Sequence, residues 1–402
     1  MRALRTLVTR RDVDRRVPEA QAQARQGLAL CLAFAAAAAV VVVADGDRWS
    51  AVHLFVAGGL VSAFGGVSVL LAATWSAAPA PAPALGLAQR LAVALGAAGV
   101  VAGRELADSP GLTGAFGTVY ALGLLGLAAL LVDVVRHGSK RRFDPAVTGW
   151  AAGLVLAVLG TTAGVALASG RAEVDLRAVH LTTNLLGFLG FVIATTIPFF
   201  GSTVVRAKMN PWATPLAVNA TTGLLGGGAL LAVLGLASER APLVRAGLVV
   251  HLLGVVATYA ISPRPTARQL DWAGPRLVGL WAGGAWWLVA VGAAAVGGPA
   301  ADPLGDRWYV VLVVGGYLQI LWASLAYLLP MLRGGGHELL GRGFAATRSW
   351  VALAALQVAA GAAVARSGTV LRAALAVVVL DTAGRVLRVG AGRPAERPDA
   401  AG

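Results

Sequence analysis

The sequence carries little charge for its length and almost no cysteine. Only 13% of its 402 residues are charged, whereas soluble domains have about 25%. The single cysteine, Cys31, lies inside an apolar run, so a disulfide framework is excluded and a cysteine-based metal site is disfavoured. Asp, Glu and Lys are missing from the middle of every apolar run, since Asp133 and Asp381 lie towards run ends. This absence disfavours a proton pump.

Apolar residues are abundant in their place. Hydrophobic residues make up 57% of the chain, and the mean hydropathy is +0.75. Apolar runs of about 20 residues recur along the chain, which is the length that crosses a bilayer core of roughly 30 Å. The pattern predicts an all-α, polytopic membrane protein with twelve transmembrane helices. The predicted spans are 27–44, 50–74, 86–103, 112–135, 146–169, 178–200, 212–236, 244–262, 276–297, 308–330, 348–365 and 370–390.

The predicted organisation is a single membrane domain with two short flanking segments. Residues 1–26 form a basic cytoplasmic leader, 27–390 the twelve-helix domain, and 391–402 a cytoplasmic tail that we expect to be disordered. The first span follows about 25 polar residues and lacks a small-residue cleavage site, so we expect it to be retained. The connections between spans leave no room for a soluble domain.

Basic residues concentrate on one predicted side of the membrane. With the N-terminus in the cytoplasm, 24 of the 33 Lys and Arg residues fall on the cytoplasmic side. This bias is the positive-inside rule, and it predicts that both termini are cytoplasmic. The net charge of +14 thus needs no nucleic-acid partner, and anionic membrane lipids are the natural partners.

Three of the five histidines share one predicted depth. His53, His180 and His251 lie near the outer starts of spans 2, 6 and 8, whereas His137 and His337 lie in cytoplasmic loops. At 1.5 Å per residue, each of the three is within about 10 Å of an outer flanking arginine. Neutral imidazole is a common ligand of metals and haem iron. The alternative is that each ring only forms a hydrogen bond to a neighbouring helix.

Polar residues around His180 extend this hypothesis. His180, Asn184 and Gly187 share one helical face, because residues three and four apart are neighbours on a helix. We expect Asn184 to be a hydrogen-bonding partner behind the ligand that fixes the tautomer of His180. Thr182 and Thr183 can bond backbone carbonyls one turn earlier. The glycines would admit either a flat macrocycle or a neighbouring helix.

Spans 2, 6 and 10 resemble one another, at four-span intervals. They contain the segments HLFVAGGLVSAFGGVSVLLAATWSAAPAP, HLTTNLLGFLGF and GGYLQILWASLAYLLP. With the twelve spans, these segments resemble the haem–copper oxidase subunit I superfamily. The nearer likeness is to its little-studied bacterial relatives, including NnrS-type haem- and copper-containing proteins and copper-oxidase-like twelve-span proteins of actinobacteria. The resemblance implies a bacterial cytoplasmic-membrane protein with a pseudo-threefold arrangement of four-helix units.

Departures from the oxidase pattern limit what the resemblance implies. The oxidases carry paired histidines on helix 7, whereas span 7 here has none. Leu312 stands at the candidate helix-10 histidine position, and Asn184 stands where a tyrosine or acid can follow the helix-6 histidine. The full oxygen-reducing centre is therefore absent. We expect one haem or one copper in the outer leaflet, bound by some combination of His53, His180 and His251.

Other functions stay open at this point. The chain could be a relative that has lost its metals, a twelve-span transporter of an apolar or small substrate, or a structural or assembly partner of a membrane complex. No span is broken near its centre by proline, unlike the discontinuous helices of many transporters. A redox partner is expected only under the metal-binding hypothesis, and enzymatic activity is left undetermined.

Overall fold

The computed structural model describes residues 10–169, 175–297, 307–334 and 336–391, with side chains described between residues 17 and 390. Every regular element within these ranges is a helix. The helices are α1 (Arg10–Val43), α2 (Arg48–Trp75), α3 (Pro83–Glu105), α4 (Pro110–His137), α5 (Asp144–Ala168), α6 (Leu176–Val205), α7 (Pro215–Ala237), α8 (Ala241–Ala260), α9 (Ala267–Ala273), α10 (Pro275–Gly297), α11 (Trp308–Arg333), α12 (His337–Ala346), α13 (Trp350–Val364) and α14 (Gly368–Ala391).

Eleven helical segments among the described residues are long and apolar enough to cross a membrane. They are α1 to α8, α10, α11, and α12 and α13 taken together. This result confirms the prediction of an all-helical, polytopic membrane protein, whereas the count of twelve stays a prediction. The predicted twelfth span forms α14, and each 18-residue stretch of α14 contains at least three charged residues.

Helix boundaries differ from the predicted ones at both ends of the chain and on the predicted cytoplasmic side. α1 begins at Arg10 and so takes in much of the predicted leader. Residues 1–9 of the leader and 392–402 of the predicted tail lie outside the described residues. The short helices α9 and α12 were not predicted from the sequence. α9 begins with a capping box of Thr266 and Gln269, which satisfies amide groups at a helix start.

The chain divides into two compact units. The first comprises Met1–Thr195 with Thr214–Gly247, and the second Thr196–Ala213 with Leu248–Gly402. In the first unit, Phe64 packs edge-on against Trp150 and Phe188, with ring centroids about 6 Å apart. In the second, the buried indole of Trp287 packs edge-on against Tyr317 at 4.9 Å. Each unit therefore has its own aromatic packing cluster.

Three of the long helices contain a π-helical segment. The segments are Leu54–Leu60 in α2, Thr183–Leu189 in α6 and Leu312–Tyr317 in α11. Within its own unit, each packs against the span before it and the span after it in the chain. π-helices account for well under 1% of residues in ordinary proteins and occur frequently at functional sites.

The π segments also share a sequence pattern. Their fifth residues are Gly58, Gly187 and Gly316, and a leucine follows each glycine two positions later. The interval from Gly58 to Gly187 equals that from Gly187 to Gly316. The similarity predicted for spans 2, 6 and 10 therefore extends to their local backbone geometry.

Candidate functional site

The structure brings His53 and His180 together within the first unit. Their ring centroids are 6.2 Å apart, and the ring planes are inclined by only 21°. Both side chains are half-buried. They come from the first turns of α2 and α6, immediately before or within three residues of a π-helical segment.

The position of His180 is fixed by its own helix start and by α5. The carboxylate of Asp175 accepts a hydrogen bond from the backbone N–H of Ala178 at 2.9 Å, which caps α6 and places His180 in its first turns. The imidazole Nδ1 donates to the Gly160 carbonyl oxygen at 2.7 Å. Gly164 lets the ring approach α5, because a Cβ there would lie 2.8 Å from Nδ1.

Asn184 and Thr183 stabilise the same stretch of α6. The Asn184 amide nitrogen donates to the His180 carbonyl at 2.8 Å and lies 3.4 Å from the His180 Nδ1. Since that Nδ1 donates to Gly160, the Gly160 carbonyl fixes the tautomer, and Asn184 supports the helix backbone instead. The Thr183 hydroxyl donates to the Val179 carbonyl at 2.7 Å, as predicted.

The position of His53 is fixed by Trp49, one turn earlier on α2. The His53 Nδ1 donates to the Trp49 carbonyl at 2.8 Å, and the two rings stack at a centroid distance of 4.0 Å. The guanidinium of Arg104 lies 4.0 Å above the Trp49 ring and forms an ion pair with Asp47 at 3.7 Å. Cation–π contacts of this kind orient an aromatic ring, so the indole is held by both His53 and Arg104.

The hydrogen bonds leave the same nitrogen for a ligand in both rings. Because each Nδ1 donates to a carbonyl, the neutral rings carry their lone pair on Nε2. Two imidazoles on one metal, each bonded at about 2 Å, have ring centres no more than roughly 6.5 Å apart. The observed 6.2 Å lies within this limit. Within the described residues, no group of three or more His, Cys, Asp or Glu side chains could hold a metal ion.

Neighbouring side chains fill the space beside the glycines near the histidines. A Cβ on Gly58 would meet the ring of Phe34, and a Cβ on Gly187 would lie 3.2 Å from Leu156. Of the two roles predicted for the small residues, these two glycines serve the close approach of neighbouring helices.

His251 belongs to the second unit. Its side chain is fully buried, and its ring lies 5.7 Å from that of Trp287. Its predicted role as a ligand stays a prediction. His137 is exposed, as predicted, but it is the last residue of α4 and not a loop residue, and its Nδ1 donates to the Asp133 carbonyl at 3.0 Å.

α11 carries no histidine next to its π segment. Val311 and Tyr309 stand there at the positions that His53 and His180 occupy relative to theirs. Leu312, the residue predicted at the histidine position, is fully buried and begins the π segment.

Two polar features of the second unit were not predicted from the sequence. The Trp286 indole donates to Gln357 at 2.9 Å, and Gln357 donates to the buried Gln319 at 2.7 Å. The sequence does offer a sign of these hydrogen bonds, because both glutamines interrupt predicted apolar spans. A cavity lined by three arginines lies at the ends of several helices, and the sequence showed these only as loop charges.

The chain matches no protein-family model and no curated protein. The resemblance to haem–copper oxidases therefore stays an expectation from the sequence segments alone.

Proposed function

We propose that this chain is a haem–copper oxidase-like membrane protein that binds one metal ion, copper or haem iron, through His53 and His180. The observation that carries the proposal is the separation of 6.2 Å between the two near-parallel rings. Each ring is oriented through Nδ1 by a backbone carbonyl, and carbonyl or carboxylate partners of this kind are usual behind metal-binding histidines. The protein does not assemble the full oxygen-reducing centre.

The repeated π segments support the oxidase-like layout. Equal spacing, a shared glycine and a shared packing environment favour three repeats of four helices, each with its π segment in the second helix. In this proposal α14 is the twelfth span. Its Asp381 and Arg385 form a bidentate ion pair at 2.7 and 3.1 Å, which lowers the cost of placing both charges near a membrane.

The packing around the pair favours a single ion over a macrocycle. A copper ion needs only two imidazole nitrogens at bonding distance, and imidazole suits both copper and iron. A haem also needs a flat opening, and Phe34 and Leu156 fill the space at Gly58 and Gly187. When bound, either group would supply one-electron chemistry. The protein's own residues orient the imidazoles, through the Trp49 and Gly160 carbonyls.

The proposed site lies at the outer side of the membrane. The charge bias puts Arg48, Arg104 and Arg177 on that side, and Arg104 sits over the ring that supports His53. A site at this depth exchanges electrons with an extracytoplasmic or membrane-bound redox partner.

Metal and haem analysis of purified variants tests this function. After expression with copper and haem supplied, we expect wild-type protein to carry about one copper or one haem per chain. His53→Ala and His180→Ala remove a ligand each, so the content falls severalfold. His137→Ala is the matched control, because that ring bonds a carbonyl of its own helix in the same way but lies apart from the pair in the predicted topology.

His251→Ala measures the predicted contribution of the third histidine under the same conditions. The proposal is wrong if wild-type protein carries neither copper nor haem, or if His137→Ala lowers the content as much as His180→Ala. Both histidines would then serve only as hydrogen-bond donors within the helix bundle.

A further inference from the structure

The second unit contains a cavity that collects positive charge. Its volume is about 160 Å³, equivalent to about five water molecules at roughly 30 Å³ each. Arg206, Arg276 and Arg348 line it, together with His337. The aromatic part of the wall comes from Trp272 and Phe344, and the lining contains no carboxylate.

Arg276 has a buried guanidinium nitrogen that could donate a hydrogen bond to a ligand. Its side chain is fully buried, and its Nη1 nitrogen has no hydrogen-bond partner among the described residues. Its Nε and Nη2 atoms donate to the Ala273 and Trp272 carbonyls at 3.4 and 3.3 Å, respectively. A buried charge is costly unless it is paired and hydrogen-bonded, so an anion in the cavity would stabilise the protein.

The other two arginines are held in place around the same space. Arg348 donates to the Asp271 carbonyl at 2.8 Å and passes over Gly274, whose positive φ of 52° and lack of a Cβ leave room for it. Arg206 lies over the Trp272 ring at 4.1 Å, and Arg276 lies over the same ring at 4.6 Å. Two cations therefore share one indole, and the contacts repeat at Phe344.

The position in the sequence indicates where the anion comes from. Arg206 follows α6, Arg276 begins α10 and Arg348 joins α12 to α13, and the charge bias assigns all three to the cytoplasmic face. Anionic lipids concentrate at that face, and basic pockets between transmembrane helices bind their headgroups. Arginine suits phosphate because its planar donors match phosphate oxygens in pairs.

We propose that this arginine cavity binds the phosphate group of an anionic glycerophospholipid at the cytoplasmic surface. The phosphate oxygens take the unpartnered donor of Arg276 and bridge it to Arg206 and Arg348. The cavity has room for the phosphate and glycerol of the headgroup, and the acyl chains lie outside it. Free phosphate offers the same oxygens, so the test separates the two sources. The site is independent of the histidine pair.

The test is a titration of delipidated protein in detergent with three probes: dihexanoyl-phosphatidylglycerol, dihexanoyl-phosphatidylcholine and inorganic phosphate. We expect the phosphatidylglycerol to bind at one site per chain and at least tenfold more tightly than the other two. Arg206→Gln and Arg348→Gln should weaken it about tenfold or more, as expected for the loss of a charged hydrogen bond. Arg206 is exposed, so its replacement should leave folding intact.

Arg342→Gln is the matched control. Arg342 lies on α12 beside the cavity-lining residues, but it pairs with Glu338 at 3.6 Å on the exposed side of the helix and does not line the cavity. Its replacement should leave phosphatidylglycerol binding unchanged. Equal weakening by Arg342→Gln would overturn the proposal, as would tighter binding of inorganic phosphate than of the lipid, or no saturable binding by wild-type protein.

Discussion

Each histidine of the pair is oriented through Nδ1, but the two partners differ in kind. His53 bonds the Trp49 carbonyl of its own helix, whereas His180 bonds the Gly160 carbonyl of α5. The position of His180 therefore depends on how closely α5 and α6 approach, and Gly160 and Gly164 permit that approach. Any metal at the pair is sensitive to the glycine face of α5.

Gly164→Ala should displace His180 and lower metal or haem content severalfold. The new Cβ would lie 2.8 Å from Nδ1 and 2.9 Å from Cε1 of the ring, and such overpacking costs about 1–3 kcal/mol. The control is Gly223→Ala, where a Cβ meets nothing within 4 Å. That change should leave the content unchanged, and alanine should slightly stabilise the helix. Equal metal content in the two variants would show that His180 is not a ligand.

The sequence predicted the histidines of the site better than it predicted their hydrogen-bond partners. Depth and the polar, small-residue helix faces predicted one site for His53, His180 and His251, and the structure brings the first two together. The partner of His180 was assigned to Asn184, one turn away, since sequence spacing shows neighbours only within a helix. Gly160 belongs to another helix, and nothing in the sequence marks which carbonyl of α5 the ring reaches.

The π-helical segments connect the histidines to the rest of the bundle. A π turn contains one more residue than an α turn, so it rotates the part of the helix before it relative to the part after it. In α2 and α6 the histidine lies just before this rotation. The π segment therefore sets the direction in which the ring points while the remainder of the helix keeps its packing.

Deleting Ala57 should convert the π segment of α2 to α-helix and rotate His53 by about 100° about the helix axis. His53 would then no longer face His180, and the metal or haem content should fall to that of His53→Ala. The matched control is deletion of Val313, in the π segment of α11, which has no histidine before it. Retention of full metal content after the Ala57 deletion would contradict the role given to the π segment.

The long helices could be predicted from the sequence, but their π-helical turns could not. The length of an apolar run identifies a span, whereas a π turn adds only one residue within a run that stays apolar throughout. The short helices α9 and α12 were not predicted for another reason, because they are too short and too polar to be identified as membrane spans. The arginine cavity was missed with them, because both helices contribute to its wall.

The topology of the whole molecule depends on α14. Its charged residues set it apart from the eleven apolar spans, yet Arg385 neutralises Asp381 and also donates to the Ala346 and Arg348 carbonyls at 2.8 and 2.7 Å. These contacts tie α14 to the end of α12. A crossing by α14 would return the C-terminus to the predicted cytoplasmic side, in agreement with the basic residues that follow it.

Reporter fusions decide between eleven and twelve spans. A reporter inserted at Arg366, between α13 and α14, should lie outside the cell, and one placed after Gly402 should lie in the cytoplasm. The first fusion is the internal control for the second, because α14 alone separates them. An eleven-span chain would place both reporters on the same side.

X-ray absorption at the metal edge of the purified, metal-bound protein tests the two-histidine site most directly. The spectrum should show two imidazole nitrogens at about 2 Å from one copper or haem iron, and the His53→Ala, His180→Ala double variant should lose that signal. A metal without imidazole ligands, or an unchanged spectrum in the double variant, would contradict the assignment of His53 and His180 as its ligands.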